Sequence, residues 1–382
     1  MELLEESVVP EHAREVKAEA RDFAAEHVAP NAEEYFRSGG YPWEVLEAGM
    51  DAGLVAQDIG EEYGGRGLSL HEILAIAEEA YRADAGIGLT LMLASFGAEI
   101  VEEYGSEAQK EAYLRPVAEN EAITGLAVSE PERGSDLAGM TTTAEKEGEE
   151  WVIDGEKYWI GNGVEADWVT TYVKTGDGED RYGNYSMLIV PTDTPGYEAE
   201  HIPEKMAMRA SKQAHIEFDD CRVPEENLVG VEGAGFYMLA DFFNHGRIVV
   251  GGHGLGLAAA AIEEAWEFVH GREAFGRDIS AFQAVQHDLA EMRLDFESAR
   301  ALNWRAADKV AADDRAGFWA ALAKTKSTEA AVDCAERAMQ LHGGRSVLEE
   351  RRISRVYRDA RIPVIYEGAN NIQRNLIYSQ QG

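Results

Sequence analysis

The chain has 382 residues, 45% of them hydrophobic and 9% aromatic, which is enough for two or three cores and argues against global disorder. Seventy-one acidic residues face 35 basic ones, for a formal charge of −36 and a pI of about 4.6. That balance argues against nucleic acid or an anionic membrane as partner, because both need clustered Lys and Arg. A surface this acidic repels itself in dilute buffer and is relieved when salt shortens the Debye length to about 3 Å at 1 M. We therefore expect a halophilic host and a requirement for high salt. The cysteines, Cys221 and Cys334, are far apart and form no C-x-x-C or Cys/His cluster, so packed thiols are expected, with no metal site. The start, Met1-Glu2-Leu3-Leu4-Glu5-Glu6, is acidic and lacks the basic-then-apolar design of a signal peptide. The longest apolar run, Ile248 to Ile262, contains His253 and falls short of the roughly 18 residues a membrane span needs. It reads as a buried helix in a cytoplasmic protein.

From Pro10 to about Glu119 the pattern is helical, with Glu11 to Arg37 long, charged and rich in Ala. Ser69-Leu70-His71-Glu72 and Ser106-Glu107-Ala108-Gln109 are capping boxes, each able to satisfy orphan N–H groups at a helix start. After Glu121 short β-rich runs appear: Glu150 to Ile153, Trp168 to Lys174, Ser186 to Val190 and His215 to Phe218. Asp154-Gly155 and Asp177-Gly178 read as turns between them. Helical periodicity returns from Phe236, with a third capping box at Ser280-Ala281-Phe282-Gln283 and a long helix from Gly317 to Leu341 that Gly343-Gly344 ends. The glycine-dense Gly251 to Gly256 sits in helical context and reads as close helix packing. No G-x-G-x-x-G follows a strand, so a Rossmann nucleotide site is not supported. The expected organisation is α+β multidomain: an N-terminal α-helical domain (1–120), a small middle β-domain (121–235) and a C-terminal α-helical domain (236–382).

Four blocks carry chemistry. Ala127-Val128-Ser129-Glu130-Pro131-Glu132-Arg133-Gly134-Ser135-Asp136 is a Ser/Gly loop able to bring backbone N–H groups to anionic oxygens. Lys157-Tyr158-Trp159-Ile160-Gly161-Asn162-Gly163 offers a Trp face that can exclude water. Arg272-Glu273-Ala274-Phe275-Gly276-Arg277, followed by Gln283, offers a guanidinium fork for phosphate, with Gln340-Leu341-His342-Gly343-Gly344 as its companion segment. Ile365-Tyr366-Glu367-Gly368-Ala369-Asn370-Asn371 sets a carboxylate between large apolar residues and a glycine, a setting that desolvates it. Singly, these also read as an interdomain turn, a core Trp, a surface Arg and a solvated loop Glu.

Together, the blocks and the α–β–α order resemble the acyl-CoA dehydrogenase family from about residue 10 to 380. The resemblance implies that family's fold, with a C-terminal four-helix bundle, and FAD as cofactor. By similarity Val128 and Ser129 touch the flavin ring, Ser135 meets the FAD pyrophosphate or the CoA chain, and Trp159 and Gly161 flank the flavin. Arg272, Phe275, Gln283, Gln340, Gly344 and Asn371 belong to the FAD site, the Arg272 block reaching the FAD of a neighbouring subunit in a homotetramer. Asn244, Arg247, Tyr366 and Gly368 are expected at the acyl-CoA, with a polar cluster at a helix start as the competing reading of Asn244 and Arg247.

Glu367 matches the family's base, taking the α-proton of an acyl-CoA thioester while the β-hydrogen leaves as hydride to flavin N5. The product is a trans-2-enoyl-CoA, and electrons pass to electron-transferring flavoprotein. Some family members carry the base at or next to the position of Gly246, where this chain has no carboxylate. Gly161 stands where a hydroxyl residue is usual, and Ala369 where the family has Thr. Leu89 to Ala94 is expected to line the deep end of the pocket; it has no Arg, which disfavours a dicarboxylic acyl group. The rival readings are an oxidase or enoyl-CoA reductase on the same fold, and a non-catalytic helical interaction protein.

Overall fold

The computed structural model describes residues 8–380; the acidic run Met1 to Glu6 lies outside them. Helices come first: α1 (Glu11–Phe23), α2 (Ala32–Ser38), α3 (Trp43–Asp51), α4 (Leu70–Ala83), α5 (Ala85–Leu93), α6 (Ala98–Tyr104), α7 (Glu107–Gln109) and α8 (Arg115–Ala118). The Ala-rich stretch from Glu11 to Arg37 is interrupted by a π turn over Ala24–Val28 and a 3-10 turn over Ala29–Asn31. Pro30 has no amide hydrogen and crowds the preceding turn, so a regular ladder cannot run through it.

The strands follow: β1 (Thr124–Ala127), β2 (Thr143–Glu147), β3 (Glu150–Gly161), β4 (Trp168–Lys174), β5 (Tyr185–Pro191), β6 (Tyr197–His201), β7 (Gln213–Pro224) and β8 (Leu228–Val229). They form one sheet in the order β6-β7-β3-β2-β4-β5-β8, with β1 pairing parallel to β4. Asp154-Gly155 is not a turn. The β2–β3 hairpin turns at Gly148-Glu149, and Asp154-Gly155 lies inside β3, where pairing with β7 slips between Ile153 and Gly155. Turns and bulges draw on the same residues, since both can call for positive φ, which glycine adopts most freely; Gly155 has φ +135°. A second slip, between Tyr158 and Ile160, leaves Trp159 unpaired.

The chain closes with α9 (Gly235–Gly271), a short hairpin of β9 (Glu273–Ala274) and β10 (Arg277–Asp278), then α10 (Gln283–Ala311), α11 (Ala316–His342), α12 (Arg352–Ala360) and α13 (Asn370–Ser379). Two of the three capping boxes form. The Ser69 amide and hydroxyl both donate to the Glu72 carboxylate, at 2.8 and 2.6 Å, and the Ser106 amide donates to Gln109 Oε1 at 2.8 Å. Each such cap is worth about 1 kcal/mol. The third does not form, because the hairpin hands the chain to α10 through a 3-10 turn over Ile279–Ala281. Phe282 therefore holds the N-cap position without a side-chain bond.

Helix α9 is the axis of the C-terminal domain, packed between α4, α10 and α11. Its glycines let backbones touch: a Cβ on Gly254 would lie 2.6 Å from the Ser327 carbonyl oxygen, and one on Gly256 2.6 Å from that of Glu78. Residues 85–104 and α9 reach the hydropathy of a membrane span, but both are mostly buried inside the protein. Cys221 and Cys334 are buried. A buried ionic network ties α1, α4 and α10, with Glu78 accepting from Lys17 Nζ at 2.7 Å, Trp304 Nε1 at 2.8 Å and Arg300 Nη2 at 3.3 Å. Burial drives the Glu78 carboxyl up, but Lys17 and Arg300 outweigh it and hold it below its ordinary value.

Candidate active site

The loop between α12 and α13 carries two consecutive left-handed residues, Glu367 at φ +49° and Gly368 at φ +84°. The conformation is free for glycine but costs a glutamate on the order of 1–2 kcal/mol, so neighbours must hold it. Lys324 Nζ, from α11, donates to the Gly368 carbonyl at 2.9 Å, and Gln373 Nε2 donates to the same oxygen at 2.9 Å. The Asn370 amide closes the loop onto the Val364 carbonyl at 3.1 Å. The turn aims Glu367 across α9. Its Oε2 is closed to solvent and has no hydrogen-bond partner. Burial pushes the Glu367 carboxyl up to about 7, against the downward pull of Arg247 and Lys324.

Gly246, Val249 and His253 lie on one face of α9 and, with Glu367, line a cavity of 520 Å³. A Cβ at position 246 would stand 2.4 Å from Glu367 Oε2. The place expected for an alternative base, at or next to Gly246, therefore adjoins the carboxylate of Glu367, and only glycine at 246 leaves that carboxylate room. Arg247 is buried and its Nη1 is 3.5 Å from Asn244 Oδ1. Both sit well inside α9, which starts at Gly235, so the helix-start reading of this pair is overturned.

Tyr366 bonds through its hydroxyl to His253 Nδ1 at 2.9 Å, and its oxygen is 3.5 Å from that of Tyr81, whose ring stacks on the imidazole. Burial keeps His253 neutral by pushing its pKa down to about 3. Sequence reasoning passed over both His253 and Lys324. The available signal was an imidazole among small apolar residues and a lysine in an alanine-rich helix.

Of Leu89 to Ala94, Met92 and Leu93 line the cavity, while Leu89, Leu91 and Ala94 are buried in the core. Asp58, Glu99, Glu102, Glu103 and Asp241 also line the cavity and make it acidic. Burial pushes Asp58 up to about 6 and Glu102 to about 7. No lysine or arginine lines this cavity among the described residues.

The first two blocks come together. Lys157 Nζ donates to the Val128 carbonyl at 2.9 Å, and the Tyr158 amide donates to that of Ser129 at 2.7 Å, which fastens the Ser/Gly loop to β3. Beside that junction, the bulge turns Trp159 out at φ +68° with 57% of its surface exposed. A bulky aromatic held outward on a strained backbone is a shape for a flat ring, and it fits the flavin the motifs imply. Ser135 is exposed farther along the loop. Gly161 backs onto the cavity: a Cβ there would meet Leu93 Cδ1 at 2.7 Å, so the space a hydroxyl side chain would need is taken.

The third block is not brought to this place. Gly246 and Gly271 are separated along α9 by about 37 Å at the helical rise of ~1.5 Å per residue. Arg272 and Phe275 follow Gly271 and are exposed, Phe275 at 95%; Gln283, Gln340 and Gly344 are exposed as well. Asn371 is exposed in the first turn of α13.

An α–β–α scaffold with a shielded carboxylate in its helical part and an outward aromatic bulge in its sheet is the architecture of a flavin-dependent dehydrogenase. Family models match along the chain: acyl-CoA dehydrogenase N-terminal domain at residues 10–121, middle domain at 125–221 and C-terminal domain at 233–381. The mouse mitochondrial short-chain specific acyl-CoA dehydrogenase is 36% identical over 372 residues, covering 97% of this chain and 90% of that one. Butyryl-CoA dehydrogenase from Megasphaera elsdenii superposes with a TM-score of 0.92 at 30% identity, covering 97% of this chain and 98% of the other. A glutaryl-CoA dehydrogenase from Mycobacterium smegmatis in complex with FADH2 superposes with a TM-score of 0.91 at 27% identity, covering 97% and 95%. This chain belongs to the acyl-CoA dehydrogenase family, with all three of its domains. Membership makes it an oxidoreductase of that family, which uses FAD, and implies an acyl-CoA substrate and electron-transferring flavoprotein as acceptor.

Proposed function

We propose that this chain removes the α-proton of an acyl-CoA thioester with Glu367 and releases the trans-2-enoyl-CoA. The observation that carries this is Glu367 Oε2, without a partner, on a left-handed turn in a cavity that only Gly246 leaves open. An ordinary glutamate is too weak a base for a thioester α-carbon; one pushed up to about 7 by burial is better matched. The Glu367 N–H is the chain's own donor to the thioester oxygen, where charge builds as the proton leaves. Val128, Ser129, Ser135, Trp159 and Gly161 would hold FAD, and Tyr366, Gly368, Asn244 and Arg247 the acyl-CoA. Bound FAD supplies the acceptor for the β-hydrogen as hydride. The test is anaerobic mixing of the yellow protein with butyryl-CoA: enoyl product and reduction of electron-transferring flavoprotein are expected. Rapid peroxide release in air would mark an oxidase instead.

The pH dependence follows from the same group. The base must be ionised, so kcat/KM is expected to rise tenfold per unit below about 7 and level off above it. A profile flat from pH 5 to 8 would remove Glu367 from that role. The acidic cavity wall supports an uncharged acyl tail over a dicarboxylic one.

Because Arg272 and Phe275 lie at the far end of α9 from Glu367, their FAD would be a neighbour's, which supports at least a dimer, and by likeness to the family a homotetramer. The charge of −36 supports a halophilic enzyme. The melting temperature is expected to rise by at least about 5 °C between 0.1 and 2 M KCl, and a flat curve would sink that reading.

A further inference from the structure

Lysine is rarely shut away from water unless something in the interior needs its charge or its donors. Lys324 is fully buried on α11, one of two lysines among the largest side chains sealed in the C-terminal and middle domains. Its ammonium makes two bonds, both to the loop that ends in α13: 2.9 Å to the Gly368 carbonyl and 2.9 Å to Asn370 Oδ1. Asn370 is in turn fixed by its amide, which donates to Thr328 Oγ1 at 3.1 Å and Glu329 Oε1 at 3.3 Å. The two partners bracket the end of a turn whose preceding residues, Glu367 and Gly368, hold positive φ. That bracket, together with Gln373 Nε2 on the same Gly368 carbonyl at 2.9 Å, opposes relaxation of the Glu367 backbone to a right-handed or extended conformation that would carry its carboxylate away from Gly246.

We propose that Lys324 is a positioning residue for Glu367: its ammonium clamps the left-handed turn that aims the carboxylate past Gly246 into the cavity. The inference rests on the reading of Glu367 as the base. Lys324 does not touch the substrate; it acts through the loop and through its charge. The charged and titratable groups around this pair are Arg247 from α9, Glu329 from α11, Glu99 from α6, and the hydroxyls of Tyr81 and Tyr366. Burial pulls Lys324 down to about 7, with Glu367 opposing that fall and Arg247 adding to it. In its ammonium form it favours the ionised carboxylate of Glu367, so removing it leaves the base harder to ionise.

Lys324→Met should lower kcat/KM about 10- to 100-fold and move the rising limb of its pH profile upward by about 1 unit. Amide hydrogen exchange over residues 367–373 should quicken, while helices α9 and α10 keep their protection. Lys324→Gln, which keeps an amide donor but no charge, carries the same test should the Met variant not fold, and its pH limb should shift likewise. A folded variant whose pH profile overlays that of the unaltered enzyme would overturn the proposal, whatever its stability. Glu367→Gln is run beside it. If that variant turns over normally, the reading of the base fails first. If it is inactive and the Lys324 profiles do not move, only the clamp fails.

Discussion

Glu367→Gln is expected to keep bound FAD and to lose at least about 10³-fold in turnover. The two side chains are nearly isosteric, so the loop, held by Lys324 and Gln373 through the Gly368 carbonyl, should keep its path. What disappears is the proposed proton acceptor. An amide does not take a proton from carbon at neutral pH, and removal of a positioned general base typically costs 10²–10⁴-fold. The measurement is reductive half-reaction kinetics with butyryl-CoA, read from the flavin absorbance, alongside the flavin content of the purified variant. A rate within tenfold of the parent, at full flavin content, would show that another group takes the proton.

Gly246→Ala is the second large effect. The added methyl would stand 2.4 Å from Glu367 Oε2, far inside contact distance, so the carboxylate or the helix must give way. Helix α9 cannot move easily, since its next turns are packed backbone to backbone at Gly254 and Gly256. The carboxylate therefore shifts, and displacement on the 1 Å scale costs about 10²-fold in rate. Stability should change little or rise slightly, because alanine is the better helix former by about 1 kcal/mol. The predicted signature is a large fall in kcat with an unchanged melting temperature. A carboxylate placed at 246 while the original is removed, Gly246→Glu with Glu367→Gly, should recover part of the rate by acting from the opposite side of the same gap. If Gly246→Ala turns over normally, the carboxylate is not confined as the geometry has it.

The buried carboxylate of Glu367 was legible because its setting is local: a glutamate preceded by Ile365 and Tyr366 and followed by glycine is one contiguous string. The division into helical and strand-rich stretches was legible for a similar reason, since periodicity is a property of neighbours. What escaped depends on partners far away in the chain. Lys324 lies 44 positions before the carbonyl it holds, and nothing in its own helix announces the bond. His253 looked like a passenger in an apolar run until Tyr366 and Tyr81 closed around it. Asp154-Gly155 was misread as a turn because a bulge asks for the same backbone freedom, and only the register with β7 separates them. The Ser280 box failed because capping depends on where the first helical turn begins, which the preceding hairpin decides.

The backbone contacts of α9 also limit how this enzyme can change its taste in substrates. Two turns beyond Gly246 the helix is packed main chain against main chain at Gly254 and Gly256, where an extra carbon strikes a carbonyl, so the cavity wall carried by Gly246, Val249 and His253 is held in place from behind. The cavity is also lined by Met92, Leu93 and Phe96, whose outer atoms can pivot or be shortened at modest cost. Selection for longer or bulkier chains would accordingly rework those side chains, leaving the glycine-rich helix as an unchanging template.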